Sequence, residues 1–200
     1  AIITDTKIEN IRRKIPIIYD KEIRKKLPNL LNYFYNILPS NIVGVTGTNG
    51  KTSVSWYLSQ ILYSNNINVS YLGTIGEYYN GKKISNLDNT TPNICSLFKI
   101  AFHHCKKGSD NFIFEASSHG LEQGRIEGLP VNIGAITNIS RDHLDYHKNM
   151  KFYRKAKFKL LTEYLEENGI AVINSKIHIP KKIKKILNNK SIKLITYGSL

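Results

Sequence analysis

Cysteine is nearly absent. The two that occur, Cys95 and Cys105, fall in one helical pattern, and a rise of about 1.5 Å per residue sets them too far apart along the axis to bridge. A disulfide framework is therefore excluded, and reduced thiols in a cytoplasmic protein are expected. Also missing is any apolar run near the roughly 20 residues of a membrane span. The N-terminal AIITDTKIEN lacks the charged and apolar regions of a secretion signal. No internal repeat is found, and the only compositionally biased tract is the lysine-rich end.

Acidic residues are scarce as well: 15 Asp+Glu stand against 29 Lys+Arg, a formal charge of +14. Such a field attracts anions, whether nucleotides, nucleic acid or an anionic membrane. Much of the excess lies between Lys176 and Lys193, where KKIKK alternates with apolar residues as on a solvated helix face. The tyrosines at 33–35 and 78–79 lack the clustered basic residues that accompany stacking rings on nucleic-acid platforms. Neither a nucleic-acid nor a membrane partner is expected, and the protein is read as a monomer.

What is present is a rhythm. From Ile42 onward short apolar runs alternate with longer amphipathic stretches, the signature of βα units around a parallel sheet. Strands are predicted at 42–45, 68–73, 112–115, 132–139, 170–174 and 193–198, with helices at 52–64, 93–106, 150–166 and 181–187. The 200 residues suffice for one full-sized core. The expected fold is α/β, a doubly wound, mostly parallel sheet carrying a phosphate loop, in which ligands gather at the carboxyl ends of strands. Residues 1–38 break the rhythm, with an Ile-rich segment and basic helical stretches around 21–26 and 30–37. They read as a linker or the tail of a preceding domain, with the nucleotide-binding domain at 39–200, cut short after Tyr197.

After the first strand comes Thr46-Gly47-Thr48-Asn49-Gly50-Lys51-Thr52 and then a helical pattern. Glycines let backbone N–H groups turn around phosphate oxygens, the helix start adds partial positive charge, Lys51 can reach the β and γ phosphates, and Thr52 can ligate Mg²⁺. The strict phosphate-loop spacing would place glycine at Val45, so the match is to a variant with glycines at 44, 47 and 50. Gly47, Thr48, Asn49, Gly50, Lys51, Thr52 and Ser53 are the candidate ATP-binding residues. The strand FIFE ends in Glu115, where a carboxylate can hold Mg²⁺ directly or through water; the alternative is a helix N-cap. His103 and His104 read as helix-surface residues.

Taken together, VTGTNGKT, NTTP (89–92), EASSHGLEQGR (115–125) and TNISRDHLDYH (137–147) resemble the motif set of the Mur ligases. The forms NTTP, SSHGL and DHLDYH are most similar to the branch that adds the third residue of the cell-wall peptide. The resemblance implies that Asn89, Thr90, Thr91, Ser117, Gln123 and Arg125 contact a UDP-linked muramoyl-dipeptide. It implies that Glu115 and His143 hold Mg²⁺ with Thr52, and that Lys157 aligns with a lysine carbamylated in the family. Lys51, Lys157 and His143 are the residues it casts as catalytic. A carbamate is an anionic oxygen donor of the kind Mg²⁺ favours, whereas a bare ammonium would repel the metal.

The implied reaction consumes ATP. The peptide carboxylate attacks the γ-phosphate, and the amine of a free amino acid, lysine or diaminopimelate, displaces phosphate from the acyl phosphate. The resemblance also implies a uridine-nucleotide-binding domain before this one and an amino-acid-binding domain after it, so that the chain alone is not expected to complete catalysis. Within the class, folylpolyglutamate and cyanophycin synthetases share the loop and fold, though NTTP and DHLDYH argue against them. From other classes come a phosphate-loop ATPase that binds nucleic acid or protein, and a remnant that binds nucleotide without turnover.

Overall fold

The computed structural model describes residues 2–8 and 15–198. Parts of the expected N-terminal tail (1 and 9–14) and residues 199–200 lie outside the described residues. Two short strands, β1 (Ile2–Thr4) and β2 (Ile17–Tyr19), form a parallel ribbon of their own. The main sheet contains β3 (Asn41–Thr46), β4 (Val69–Gly73), β5 (Gly76–Tyr79), β6 (Lys82–Ser85), β7 (Asn111–Glu115), β8 (Val131–Ile136), β9 (Leu165–Asn174) and β10 (Lys193–Tyr197). Its spatial order is β10-β9-β8-β3-β7-β4-β5-β6. All neighbours run parallel except β4/β5 and β5/β6.

Successive side chains of the buried central strands face opposite cores, as a pleat requires. Ile42 of β3, with Phe112 and Phe114 of β7, faces one core, and Val43, Val45 and Ile113 face the other. The first core is closed by α1 (Ile23–Phe34), α3 (Ile94–Lys106), α6 (Met150–Thr162) and α7 (Lys181–Asn189), through Leu31, Leu97, Phe98, Leu160, Leu161 and Leu187. The second is closed by Leu58 and Leu62 of α2 (Lys51–Ser64). Gly44, grouped with the phosphate-loop glycines on sequence, lies inside β3. A Cβ there would stand 2.9 Å from Leu160 Cδ1 and 3.0 Å from Phe114, so its role is to admit the α6 helix.

Several boundaries move for physical reasons. The strand expected to reach residue 139 stops at Ile136 because Thr137 and Asn138 turn away to grip the phosphate loop. The helix expected to reach 166 ends at Thr162, and Leu165 already pairs with Val131. The two basic stretches near the N-terminus are one helix running through Pro28, and Leu31 joins the main core. The β5–β6 hairpin was not anticipated. Its turn is Asn80-Gly81, with φ of 48° and 72°, the Asn-Gly pair that favours a two-residue hairpin. His104, expected on the helix surface, is 1% exposed and paired with Glu77, whereas His103 is exposed.

No described helix is long and apolar enough to cross a membrane. The α7 lysines 181, 182, 184 and 185 are exposed while Leu187 is buried, the arrangement of a solvated amphipathic helix.

Candidate functional site

β3 lies between β7 and β8, and the segments leaving the carboxyl ends of these three strands meet in one place. Such a crevice is where open α/β sheets bind ligands. A cleft of about 640 Å³ opens there. Its walls include Thr48 to Ser53 of the phosphate loop, Asn89, Thr90, Ser117 and Arg125 from the motifs expected to hold the acceptor, and His143 and Lys157.

The phosphate loop is held from behind by the segment after β8. Thr48 N–H donates to Asn138 O at 2.9 Å and Asn49 N–H to Asn138 Oδ1 at 3.0 Å. Thr137 Oγ1 and Asn138 Nδ2 donate to Asn49 O at 2.6 and 2.9 Å. Thr48 Oγ1 accepts from Ser140 N–H at 3.0 Å and lies 3.0 Å from the buried Tyr153 hydroxyl. Gly50 caps α2 in the left-handed region, at φ 80°. The sequence assigns these clamp residues no role, because nothing local in TNIS says which backbone it will meet.

Two lysines converge on one carbonyl. Lys51 Nζ donates to Gly47 O at 3.0 Å and Thr48 O at 2.9 Å, and Lys157 Nζ donates to Gly47 O at 2.7 Å. Lys157 is 1% exposed and lies 4.6 Å above the Tyr153 ring, one helical turn away. Burial, reinforced by the charge of Lys51, pulls the Lys157 ammonium down to about 7. Burial also lowers Lys51, against the attraction of Glu115 and Asp142. Paired cations in a partly dry cleft form a strong anion trap.

Glu115 ends β7 fully buried and accepts four hydrogen bonds. Thr52 Oγ1 donates to Oε2 at 2.9 Å, Thr74 N–H to Oε1 at 2.9 Å, Thr74 Oγ1 to Oε2 at 3.1 Å, and the Tyr71 hydroxyl to Oε1. Burial and the Glu115 carboxylate together push the Tyr71 phenol far above its ordinary range, so it stays a donor. Glu115 is no N-cap; that place at α4 (Ser118–Glu122) belongs to Ser117, whose hydroxyl accepts from Gly120 N–H. The Glu115 carboxylate and the Thr52 hydroxyl form an oxygen donor set suited to Mg²⁺. Among the described residues no group of three or more His, Cys, Asp or Glu side chains could hold a metal, so a cation here would also need phosphate oxygens. His143 lies across the cleft in the left-handed region, at φ 49°, its side chain 47% exposed and its Nε2 3.5 Å from Asp142.

The remaining wall is tied together through Thr91, whose side chain is not part of the cleft surface. Its hydroxyl donates to Glu115 O at 2.7 Å and lies 3.1 Å from Ser117 Oγ, and its carbonyl accepts from Arg125 at 2.7 Å. Gln123 is exposed beside the cleft, where it accepts from Arg125 Nε at 2.9 Å and donates to the Tyr146 hydroxyl at 3.2 Å. Thr90 and Thr74 share a hydroxyl contact of 3.1 Å. His119, to which the sequence assigns no role, lines the cleft and packs against Tyr146, with ring centroids 4.2 Å apart and planes tilted by 45°. Burial first, then the nearby His143, lowers its pKa below the ordinary imidazole value.

A sheet of this order, with a glycine-rich strand–loop–helix at its switch point, defines an α/β domain of the phosphate-loop type. The family profile described as the Mur ligase middle domain matches residues 45–199. The chain belongs to the Mur ligase family. It is similar to UDP-N-acetylmuramoyl-L-alanyl-D-glutamate--2,6-diaminopimelate ligase of Rickettsia montanensis, with 40% identity over 98% of this chain and 41% of that protein. A solved structure of a ligase of the same name superposes with a TM-score of 0.76 at 30% identity, covering 98% of this chain and 40% of the other. A bifunctional folylpolyglutamate synthase/dihydrofolate synthase solved with Mn, AMPPNP and L-glutamate shares the fold, with a TM-score of 0.63 at 18% identity, over 84% of this chain and 46% of its own. The chain thus spans about two fifths of the length of the curated relatives it matches.

Proposed function

We propose that this chain is the ATP-binding part of a ligase that joins the carboxylate of UDP-N-acetylmuramoyl-L-alanyl-D-glutamate to the amine of 2,6-diaminopimelate. The substrates are those in the names of the relatives above. The observation that carries the reading is the shared cleft, in which the phosphate loop faces Asn89, Thr90, Ser117 and Arg125. A carboxylate held by Arg125 can there meet the γ-phosphate of a nucleotide held by the loop.

The first step forms a bond between a carboxylate oxygen and the γ-phosphorus and breaks the bond to ADP. The second forms the C–N bond as the amine attacks the acyl carbon, with inorganic phosphate leaving and a proton lost from nitrogen. Neither step needs a covalent bond to protein; both need alignment and neutralisation of negative charge. Lys51 supplies charge at the γ-phosphate, and its bonds to Gly47 O and Thr48 O are readily exchanged for phosphate oxygens. Thr52 and Glu115 would hold Mg²⁺, with His143 and a carbamylated Lys157 completing the set. Bound there, the ion would neutralise charge on the transferring phosphoryl group.

Lys157 suits carbamylation because an amine pulled down to about 7 is about half unprotonated at neutral pH, and that fraction can add to CO₂, forming an N–C bond with loss of a proton. The resulting anion would sit beside two cationic partners, Lys51 and the metal. In the folylpolyglutamate reading the same loop would serve a different acceptor. The identity of 40% to the diaminopimelate ligase, against 18% to the folylpolyglutamate synthase, favours the first reading.

The test is calorimetric titration of the chain with Mg-ATP and then with UDP-N-acetylmuramoyl-L-alanyl-D-glutamate, compared with the Thr90→Ala/Arg125→Ala double variant. Binding of both ligands, with the second lost in the variant, supports the reading. Binding of ATP with no acceptor binding in either protein contradicts the placement of the acceptor in this cleft.

A further inference from the structure

We propose that Glu77, outside the cleft, is the positioning residue for its acceptor-binding wall, acting through the loop that carries Asn89 and Thr90. The claim that the wall binds acceptor rests on the function proposed above; the claim that Glu77 fixes the wall does not.

The geometry is a three-way clamp. Glu77 on β5 stands opposite Ser85 on β6 in the strand register, and Ser85 Oγ donates to its Oε2 at 2.7 Å. Its other oxygen lies 2.8 Å from His104 Nε2 on the last turn of α3. One carboxylate therefore joins both strands of the edge hairpin to the helix behind them. His104 is buried, its ring edge-on to Tyr79 at 5.5 Å, and its Nδ1 has no hydrogen-bond partner. A buried polar group left half satisfied is costly, so the bond to Glu77 is the only such return this imidazole obtains among the described side chains.

The clamp matters because of what it brackets. Residues 86–93, with Asn89 and Thr90, run from the end of β6 to the cap of α3, so Glu77 holds the element on each side of this loop. The turn just before β5 carries Thr74, which donates twice to Glu115 and touches the Thr90 hydroxyl at 3.1 Å. Freeing β5 and β6 from α3 would therefore let Thr74 and Thr90 move together, while the phosphate loop, held by Thr137 and Asn138, would stay in place. A surface carboxylate would have no such reach.

The experiment compares Glu77→Ala, Glu77→Gln and Ser85→Ala with the parent chain, by titration with Mg-ATP and with UDP-N-acetylmuramoyl-L-alanyl-D-glutamate, and by amide hydrogen exchange. Glu77→Ala is expected to weaken acceptor binding about tenfold or more and Mg-ATP binding less, because the phosphate loop stays in place while only the bonds of Thr74 to Glu115 are loosened. Exchange should quicken at 74–76 and 86–93 but not at 47–50. Glu77→Gln, which can still bond both partners, should restore most of the loss. Unchanged acceptor affinity in Glu77→Ala overturns the proposal, and so does equal loss of both ligands with no rescue by Gln. If Glu77→Ala does not fold, Ser85→Ala removes one arm of the clamp and should shift the same readouts in the same direction; no shift overturns the idea. If the parent chain binds no acceptor, the functional reading fails, and the exchange pattern alone decides whether Glu77 positions the loop.

Discussion

The hydroxyl of Thr137 occupies the space that a side chain on Gly47 would need: a Cβ built on Gly47 would stand 1.8 Å from Thr137 Oγ1. The same hydroxyl donates to Asn49 O, so the phosphate loop and the segment after β8 are mutually fitted. Gly47→Ala is expected to lower Mg-ATP affinity about tenfold or more, a loss of roughly 1.4 kcal/mol or above. Adding Thr137→Ala should recover part of it by opening the space, but not all, because φ at this residue is 155°. Titration calorimetry on the single and double variants checks both statements.

Lys51→Ala should weaken Mg-ATP binding more than any other single change in the loop, since it removes the flexible cation of the cleft. An unchanged affinity would show that nucleotide phosphates do not lie on Gly47 to Thr52.

Glu115→Gln keeps the shape of the side chain and removes its charge. Thr52 and Thr74 can still donate to the amide oxygen, so binding of ATP without metal should persist. The gain in affinity on adding Mg²⁺ should fall about 10- to 100-fold, as when a group supporting a metal site is replaced. Titrations with and without Mg²⁺ measure the difference directly.

Lys157 is a buried cation whose partner is a carbonyl, and replacement of a buried charge by an apolar side chain of similar length often stabilises. Lys157→Met should raise unfolding stability at pH 6 by about 1–3 kcal/mol while abolishing ligation in the complete enzyme. The sign follows from linkage. The unfolded lysine titrates near 10.5 and the folded one near 7, so the parent protein gains stability as pH rises between these values, and the advantage of Met should shrink there. Urea denaturation at pH 6 and pH 9 tests it.

Glu77 titrates below its ordinary carboxylate value, chiefly because of the hydrogen bond from His104. Its charged form therefore contributes stability that is present above the unfolded value of 4.5 and is lost as pH falls through the lower folded value. The stability deficit of Glu77→Gln should be full at pH 6 and close progressively below 4.5.

Much of the fold was legible because its signals are local. The run IVGV and the Phe-Ile-Phe that precedes Glu115 are buried on both faces and therefore apolar, and the amphipathic spacing of 181–187 is a property of neighbouring residues. The phosphate loop was equally legible, since strand, glycines, Lys51-Thr52 and helix occur in unbroken order. The Asn80-Gly81 turn is just as local, but the strands beside it are short and half polar and carry no clear alternation.

The sequence by itself determined the parallel sheet, the loop and the acidic end of β7, because each depends on residues a few positions apart. Only the tertiary structure decided that Lys157, one lysine among many, is buried against a glycine carbonyl 110 positions away. The same holds for Thr137 and Asn138 as the back of the phosphate loop, for Thr91 as a tie within the wall, and for His104 bound to Glu77 inside the protein. In each case the decisive partner comes from a distant strand or helix, and its distance and burial are fixed by how the sheet orders its strands, which composition and spacing do not encode.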